Sequence, residues 1–226
     1  KIKPKSVLEL GCYTGIFANY LSSIENIPTT GIDIEENLVS FGKEKFKDNN
    51  LKLVNLDYKN LDKLKIKFDY IFTNFGLENI PNPKFDNYKI RENQSYISRL
   101  KYFEKFFNYL NTVSTNEAQF LCIARIPTID CVLAIVDASH KKGWTWISSE
   151  FNYIDHNSET IPQLKFIKKK TNLIDINLFI NELLKFKDEE SNEYFQITLF
   201  EKEKPNSVLL NTDSYKYEQT NDELFS

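Results

Sequence analysis

Apolar residues in this chain fall into short continuous runs, and between the runs they recur at helical spacing. SVLELG (6–11), TTGIDI (29–34), LKLVNLD (51–57) and FDYIFTNF (68–75) are the first four runs. Each is apolar at successive positions, as strands covered by helices on both faces are. After the first run Ile16, Phe17, Tyr20, Leu21 and Ile24 repeat with a helical period, and a second helix is expected from about Glu35 to Phe46. Farther along, Leu100, Phe103, Phe106, Phe107 and Leu110 form a helical stripe read as core packing. AQFLCIARI (118–126) predicts a buried fifth strand, and Ile129, Val132, Leu133 and Val136 a helix closed near Gly143. WTWISSEFNYI (144–154) and YFQITLFEK (194–202) complete the set as sixth and seventh strands.

Strands alternating with helices predict an α/β domain, Rossmann-like, on a seven-stranded and mostly parallel sheet with helices on both faces. The last strand is expected to run antiparallel. The domain is expected to occupy residues 1–204. Within it, 157–193 read as an irregular insertion holding IPQLKFIKKK and a short helix around Leu178 to Phe186. Residues 205–226 are polar and expected to form a mobile tail.

Composition narrows the classes of function. The chain has 226 residues and a net charge of −3, which gives no electrostatic case for a nucleic-acid partner or an anionic membrane. Its compact basic run, Lys168-Lys169-Lys170, reads as a solvated face. Cys12, Cys122 and Cys131 are odd in number, widely spaced and set among apolar neighbours, so free thiols in a cytoplasmic setting are expected in place of disulfides or a metal site. No apolar run approaches the roughly 20 residues of a membrane span.

In a doubly wound sheet the ligand sits outside the carboxyl ends of the strands, so the strand-end residues identify the chemistry. The first strand ends Glu9-Leu10-Gly11 and turns through Cys12, Tyr13 and Thr14 to Gly15. The second ends at Asp33, 22 residues after Gly11, a distance at which an acid reaches ribose hydroxyls. Asp57 closes the third strand, and Thr73-Asn74-Phe75-Gly76 the fourth. A nicotinamide dinucleotide fits these ends less well, because G-C-Y-T-G lacks the G-x-G-x-x-G spacing and Asp57 has no role beside a pyrophosphate. A P-loop is excluded by the absence of G-x-x-x-x-G-K-[ST].

The ordered series VLELGCYTG, GIDI, LVNLD and FDYIFTNFGLENI resembles the motifs of the class I S-adenosylmethionine-dependent methyltransferases, closely from residue 6 to about 80 and more loosely to about 202. The resemblance implies S-adenosyl-L-methionine as cofactor. It places Glu9, Gly11, Cys12, Tyr13 and Gly15 around the methionyl part, Asp33 and Ile34 at the ribose, and Asp57 and Tyr58 at the adenine. Asn74 and Phe75 would face the sulfonium and the incoming acceptor. Tyr13 departs from the family's E-x-G-x-G-x-G pattern by replacing its middle glycine. A tyrosine there is expected to take an ordinary L-residue conformation and line the methionyl pocket without blocking it.

The resemblance does not identify the acceptor. Methyl transfer from a sulfonium is an in-line displacement that positioning alone can promote, so no fixed triad is required. His156, in NYIDHN, and Glu78, after the fourth strand, are the candidate catalytic groups. His140 reads as a helix-end cation, and Arg125 as a salt-bridge partner or a binder of an acidic acceptor. TNFG stands where an N-P-P-Y-like tetrapeptide would mark amino methylation of adenine or glutamine, and no Pro-Cys pair serves cytosine chemistry. A small-molecule or peptide acceptor is expected, with no nucleic acid and no membrane, and 157–193 as a candidate acceptor lid. The alternative is a catalytically silent cofactor-binding module acting as an interaction subunit.

Overall fold

The computed structural model describes residues 3–77, 88–124, 129–156, 159–169, 196–199 and 215–218. Strand β1 (Val7–Leu10) runs parallel to β2 (Thr29–Asp33) on one side and to β4 (Phe68–Asn74) on the other. Outside β2 lies β3 (Leu51–Asn55), and outside β4 lies β5 (Ser114–Ile123), both parallel to their neighbours. The chain therefore winds outward in both directions from the β1/β4 boundary, which is the switch point where such sheets open a crevice.

Beyond β5 the sheet becomes antiparallel. After β6 (Thr145–Trp146) and β7 (Asn152–His156), β8 (Glu159–Ile167) pairs antiparallel with β5 and carries both β6 and β7 on its far side. The path is β3-β2-β1-β4-β5-β8-β6, seven strands, with β7 attached to β8. Three expectations change here. The stretch 144–154 is split between β6 and the start of β7, and IPQLKFI, expected in an irregular insertion, is the body of β8. Strands β9 (Gln196–Leu199) and β10 (Tyr215–Glu218) pair antiparallel with each other, so four residues of the expected tail are strand. The candidate lid residues Leu178, Phe179 and Phe186, and also Arg125, lie outside the described residues, whereas Phe166 is fully buried in β8.

One face of the sheet is covered by α3 (Tyr88–Val113) and α4 (Ile129–Lys141). The stripe predicted on α3 is buried there, with Phe107 5.5 Å from Phe166, 6.0 Å from Phe120 and 5.9 Å from Trp144, ring centre to ring centre. Trp144 is fully buried yet satisfied, since its indole N–H donates to Asn111 Oδ1 at 2.9 Å. Edge-to-face aromatic contacts of this kind add to the area the rings remove from water.

The opposite face carries α1 (Ile16–Ser23) and α2 (Glu36–Lys45). The helical spacing expected in α1 is present, but the stripe faces the sheet only in part, through Leu21, which packs against Val7, Ile27 and Phe72. Ala18 and Ser22 are buried, while Ile16 and Ile24 are 63% and 67% exposed. Small side chains let the first turn of α1 approach the sheet end closely, and that contact displaces the large residues outward. Phe17 partly returns, meeting Phe72 edge-on at 5.2 Å. No described helix is long and apolar enough to cross a membrane.

Two apolar residues with similar sequence signals should therefore behave differently. Phe107→Ala is expected to cost about 3–5 kcal/mol in urea denaturation, and Ile16→Ser no more than about 0.5 kcal/mol. Comparable losses at the two sites would contradict this packing.

Candidate functional site

The loop after β1 is built from backbone groups first. Gly11 N–H and Cys12 N–H both donate to the Ile32 carbonyl at 2.9 Å, bending the chain sharply across the end of β2, and Gly15 N–H closes the turn on Cys12 O at 2.7 Å. Positive φ occurs at every second residue, 71° at Gly11, 54° at Tyr13 and 79° at Gly15. Tyr13 thus adopts the left-handed conformation of the glycine it replaces, contrary to the expectation of ordinary L-residue geometry. The turn geometry outweighs the steric preference of the side chain, at a cost of order 1 kcal/mol. Tyr13 is 63% exposed.

Asp33 secures this loop. Its Oδ2 accepts from Tyr13 N–H at 2.7 Å and its Oδ1 from Glu35 N–H at 3.0 Å. A carboxylate offers about four acceptor positions, so two remain for a ligand. Asn55, which the sequence reading did not single out, donates its side-chain amide to the carbonyls of Asp33 at 3.1 Å and Ile34 at 2.8 Å, fixing the end of β2. Only a pattern of polar residues at the end of β3 hinted at it. Ile34 beside it is largely exposed.

Glu9 is the unusual member. It is 4% exposed, and its Oε2 has no hydrogen-bond partner among the described residues. Burial pushes its carboxyl up to about 8; the Ala18 backbone N–H opposes that shift and the charge of Asp33 adds to it. Burial likewise raises the thiol of Cys12, which packs under the loop with Ala18, Val39 and Leu53.

The other strand ends meet the loop to different degrees. Gly11 and Gly76 approach so closely that a Cβ on Gly11 would lie 2.8 Å from Gly76 Cα. Thr73 joins the same two segments, donating its hydroxyl to Leu10 O at 3.1 Å and accepting from Gly76 N–H at 3.0 Å. Asn74 is exposed at the end of β4, and Phe75, with φ of 61°, is tied through its N–H to Ile123 O at 2.8 Å. Asp57 caps the 3₁₀ turn Tyr58–Leu64 through Lys59 N–H at 2.9 Å. The ring of Tyr58 turns toward α3, 5.6 Å from Phe106, with its hydroxyl 3.0 Å from that of Tyr102.

Of the candidate catalytic groups, Glu78 lies outside the described residues, as does the side chain of His156. The backbone of His156 is nonetheless informative. Gln163 stands opposite Ile123 of β5, while Glu159, farther along β8, stands opposite His156. The β7–β8 hairpin therefore extends past the carboxyl edge of β5, and its end lies on the same side of the sheet as Glu9 and Asp33.

The raised Glu9 carboxyl makes ligand-free stability depend on pH. The folded state holds its proton to about 8, whereas the unfolded chain releases it near 4.5, so this contribution is present below 4.5 and is lost as pH rises toward 8. Stability of the wild type relative to Glu9→Gln is expected to fall between pH 5 and pH 8 in urea denaturation. Parallel pH profiles would exclude a buried, protonated Glu9.

Comparisons with known proteins bear on the same region. Residues 7–89 match a family described as a methyltransferase domain. A demethylmenaquinone methyltransferase of Staphylococcus haemolyticus strain JCSC1435 is 46% identical over 54 residues, covering 24% of this chain and 23% of that protein. The enzyme of the same name from Staphylococcus aureus strain JH9 is 39% identical over 84 residues, 35% of this chain and 34% of its own length. This chain thus matches only about a quarter to a third of the length of these relatives. Among solved structures, the O-methyltransferase from the trans-AT PKS multienzyme of Brevibacillus brevis, in complex with S-adenosyl-L-homocysteine, shares the fold with a TM-score of 0.53 at 14% identity, over 78% of this chain and 70% of that one. Residues 7–89 thus resemble a methyltransferase domain, and the sheet that contains them has the Rossmann-like fold seen in solved methyltransferases.

Proposed function

We propose that this protein is an S-adenosylmethionine-dependent methyltransferase acting on oxygen or nitrogen of a small-molecule or peptide acceptor. The observation that carries the reading is the buried Glu9 carboxyl with an unpartnered oxygen beside a loop of alternating positive φ. An orphaned buried acceptor is costly and calls for a donor from a ligand. The amino group of a methionyl moiety is such a donor. Asp33, with acceptor positions left after holding the loop, suits a ribose diol. The Gly11–Gly76 contact leaves the crevice floor free of side chains.

S-adenosylmethionine, when bound, supplies an electrophilic methyl group on sulfur. This chain's residues then have three tasks: to hold the methionyl and ribose ends, to orient the donor toward the β4 end, and to admit the acceptor from the side of Asn74 and the β7–β8 hairpin. His156, on that hairpin, and Glu78, after β4, are the groups we assign to accept the acceptor's proton. Alignment within a water-poor crevice is the main contribution expected from the protein.

Asp33→Asn keeps an acceptor for Tyr13 N–H but removes the charge. It is expected to weaken S-adenosylhomocysteine binding roughly tenfold to a hundredfold by calorimetry, the loss of charge-assisted hydrogen bonds. Unchanged affinity would remove Asp33 from the site. Transfer of tritiated methyl to bulk RNA or DNA faster than to small acceptors would refute the acceptor class.

A further inference from the structure

Asn55 and Asp33 stand opposite one another at the last paired position of β2 and β3. There the side-chain amide of Asn55 donates to two successive carbonyls, Asp33 O at 3.1 Å and Ile34 O at 2.8 Å. Successive carbonyls of a regular strand point to opposite sides, so one nitrogen does not reach both. Their convergence on a single amide marks the point where β2 gives way to a turn. Two further bonds act on that turn. Asp33 O also accepts from Leu56 N–H at 2.9 Å, and Asp33 Oδ1 from Glu35 N–H at 3.0 Å.

Apolar packing does little to hold this turn, because Ile34 is largely exposed, so its shape depends on polar contacts. Asparagine suits the position for a chemical reason. Its amide carries two N–H donors in one plane on a short side chain, whereas serine or threonine offers one donor and an ionised aspartate none. Asn55 is itself exposed, and bonds at an exposed position add little to global stability. Their effect falls on Asp33, which is held at both ends. Its carboxylate is held by the N–H groups of Tyr13 and Glu35, and its carbonyl by Asn55 and Leu56. A carboxylate fixed in advance meets a diol with little ordering left to do.

We propose that Asn55 is a positioning residue for ribose recognition: through the carbonyls of Asp33 and Ile34 it fixes the direction of the Asp33 carboxylate, and so sharpens the preference of the site for a ribose diol over a deoxyribose. The proposal rests on the reading of the site as an S-adenosylmethionine site. Asn55 acts through Asp33, so its removal weakens the ribose contact selectively and leaves the hold on the rest of the ligand in place.

Calorimetry with S-adenosylhomocysteine and its 2′-deoxyribose analogue tests this on the wild type, Asn55→Ala and Asn55→Asp. The wild type is expected to prefer the ribose compound by roughly tenfold. Asn55→Ala should lose about threefold to tenfold in affinity for S-adenosylhomocysteine while its affinity for the deoxy analogue stays within about twofold, so the preference narrows. Asn55→Asp keeps the shape of the side chain, but has no donor and sets a charge against two carbonyls, and should narrow the preference further. Affinities for the two compounds that fall together, or a preference unmoved in both variants, would overturn the proposal and leave the cofactor reading standing. A wild type that binds both compounds equally would overturn the proposal together with the ribose role of Asp33, and one that binds neither would overturn the cofactor reading as well.

Discussion

The carboxylate of Asp33 organises the site end of this sheet. It takes the N–H of Tyr13 on one oxygen and that of Glu35 on the other, so the turn after β1 and the entry to α2 are referred to the same point. Its own carbonyl accepts from Leu56 N–H at 2.9 Å, which brings the end of β3 into register as well. Charge-assisted hydrogen bonds to backbone donors are among the stronger polar contacts available to a protein, and here they act at the mouth of a crevice. The acid that suits a ribose is therefore also the acid that shapes the loop, and its removal affects both.

Much of this was legible in the sequence because the chain uses glycine sparingly. Of six glycines, Gly11 and Gly15 form the loop, while Gly31, Gly42 and Gly76 approach Cys12, the Thr14 carbonyl and the Leu10 carbonyl; only Gly143 lies elsewhere. Strand-end acids and a clustered glycine set survive in a one-dimensional reading because they depend on backbone chemistry close in sequence. The orientation of α1 does not survive, because periodicity shows that a face exists without saying which way it turns. Ala18 and Ser22 decided that, through close approach. Strand β8 escaped for a different reason: Pro162 interrupts ETIPQLKFI, and a proline within an apolar run argues against a strand. In the sheet it stands opposite Tyr153 of β7.

Charge is segregated in a way the net value conceals. Asp33 and Asp57 stand at the carboxyl edge, while Lys67 donates to the last carbonyls of α3, including Thr112 O at 2.6 Å, on the opposite edge. Lys168, read from sequence as part of a solvated basic face, instead reaches Ser114, donating to its hydroxyl at 2.7 Å. It is partly withdrawn from solvent, and burial together with nearby Lys67 lowers its pKa. Both lysines complement helix or strand ends inside the domain, so they add less to an external basic track than their count suggests.

The three cysteines extend these packing arguments to motion. All are buried and none is in a disulfide, Cys12 beneath the loop, Cys122 in β5 and Cys131 in α4. A thiol reacts as its thiolate, and burial suppresses that form at Cys12 and Cys122. Alkylation of Cys12 therefore requires the loop to lift away from Leu53 and Val39, whereas Cys122 requires the central sheet to separate from its helices. The chain carries an internal clock for two kinds of opening, local at the crevice and global through the core, readable as the order in which its thiols become labelled.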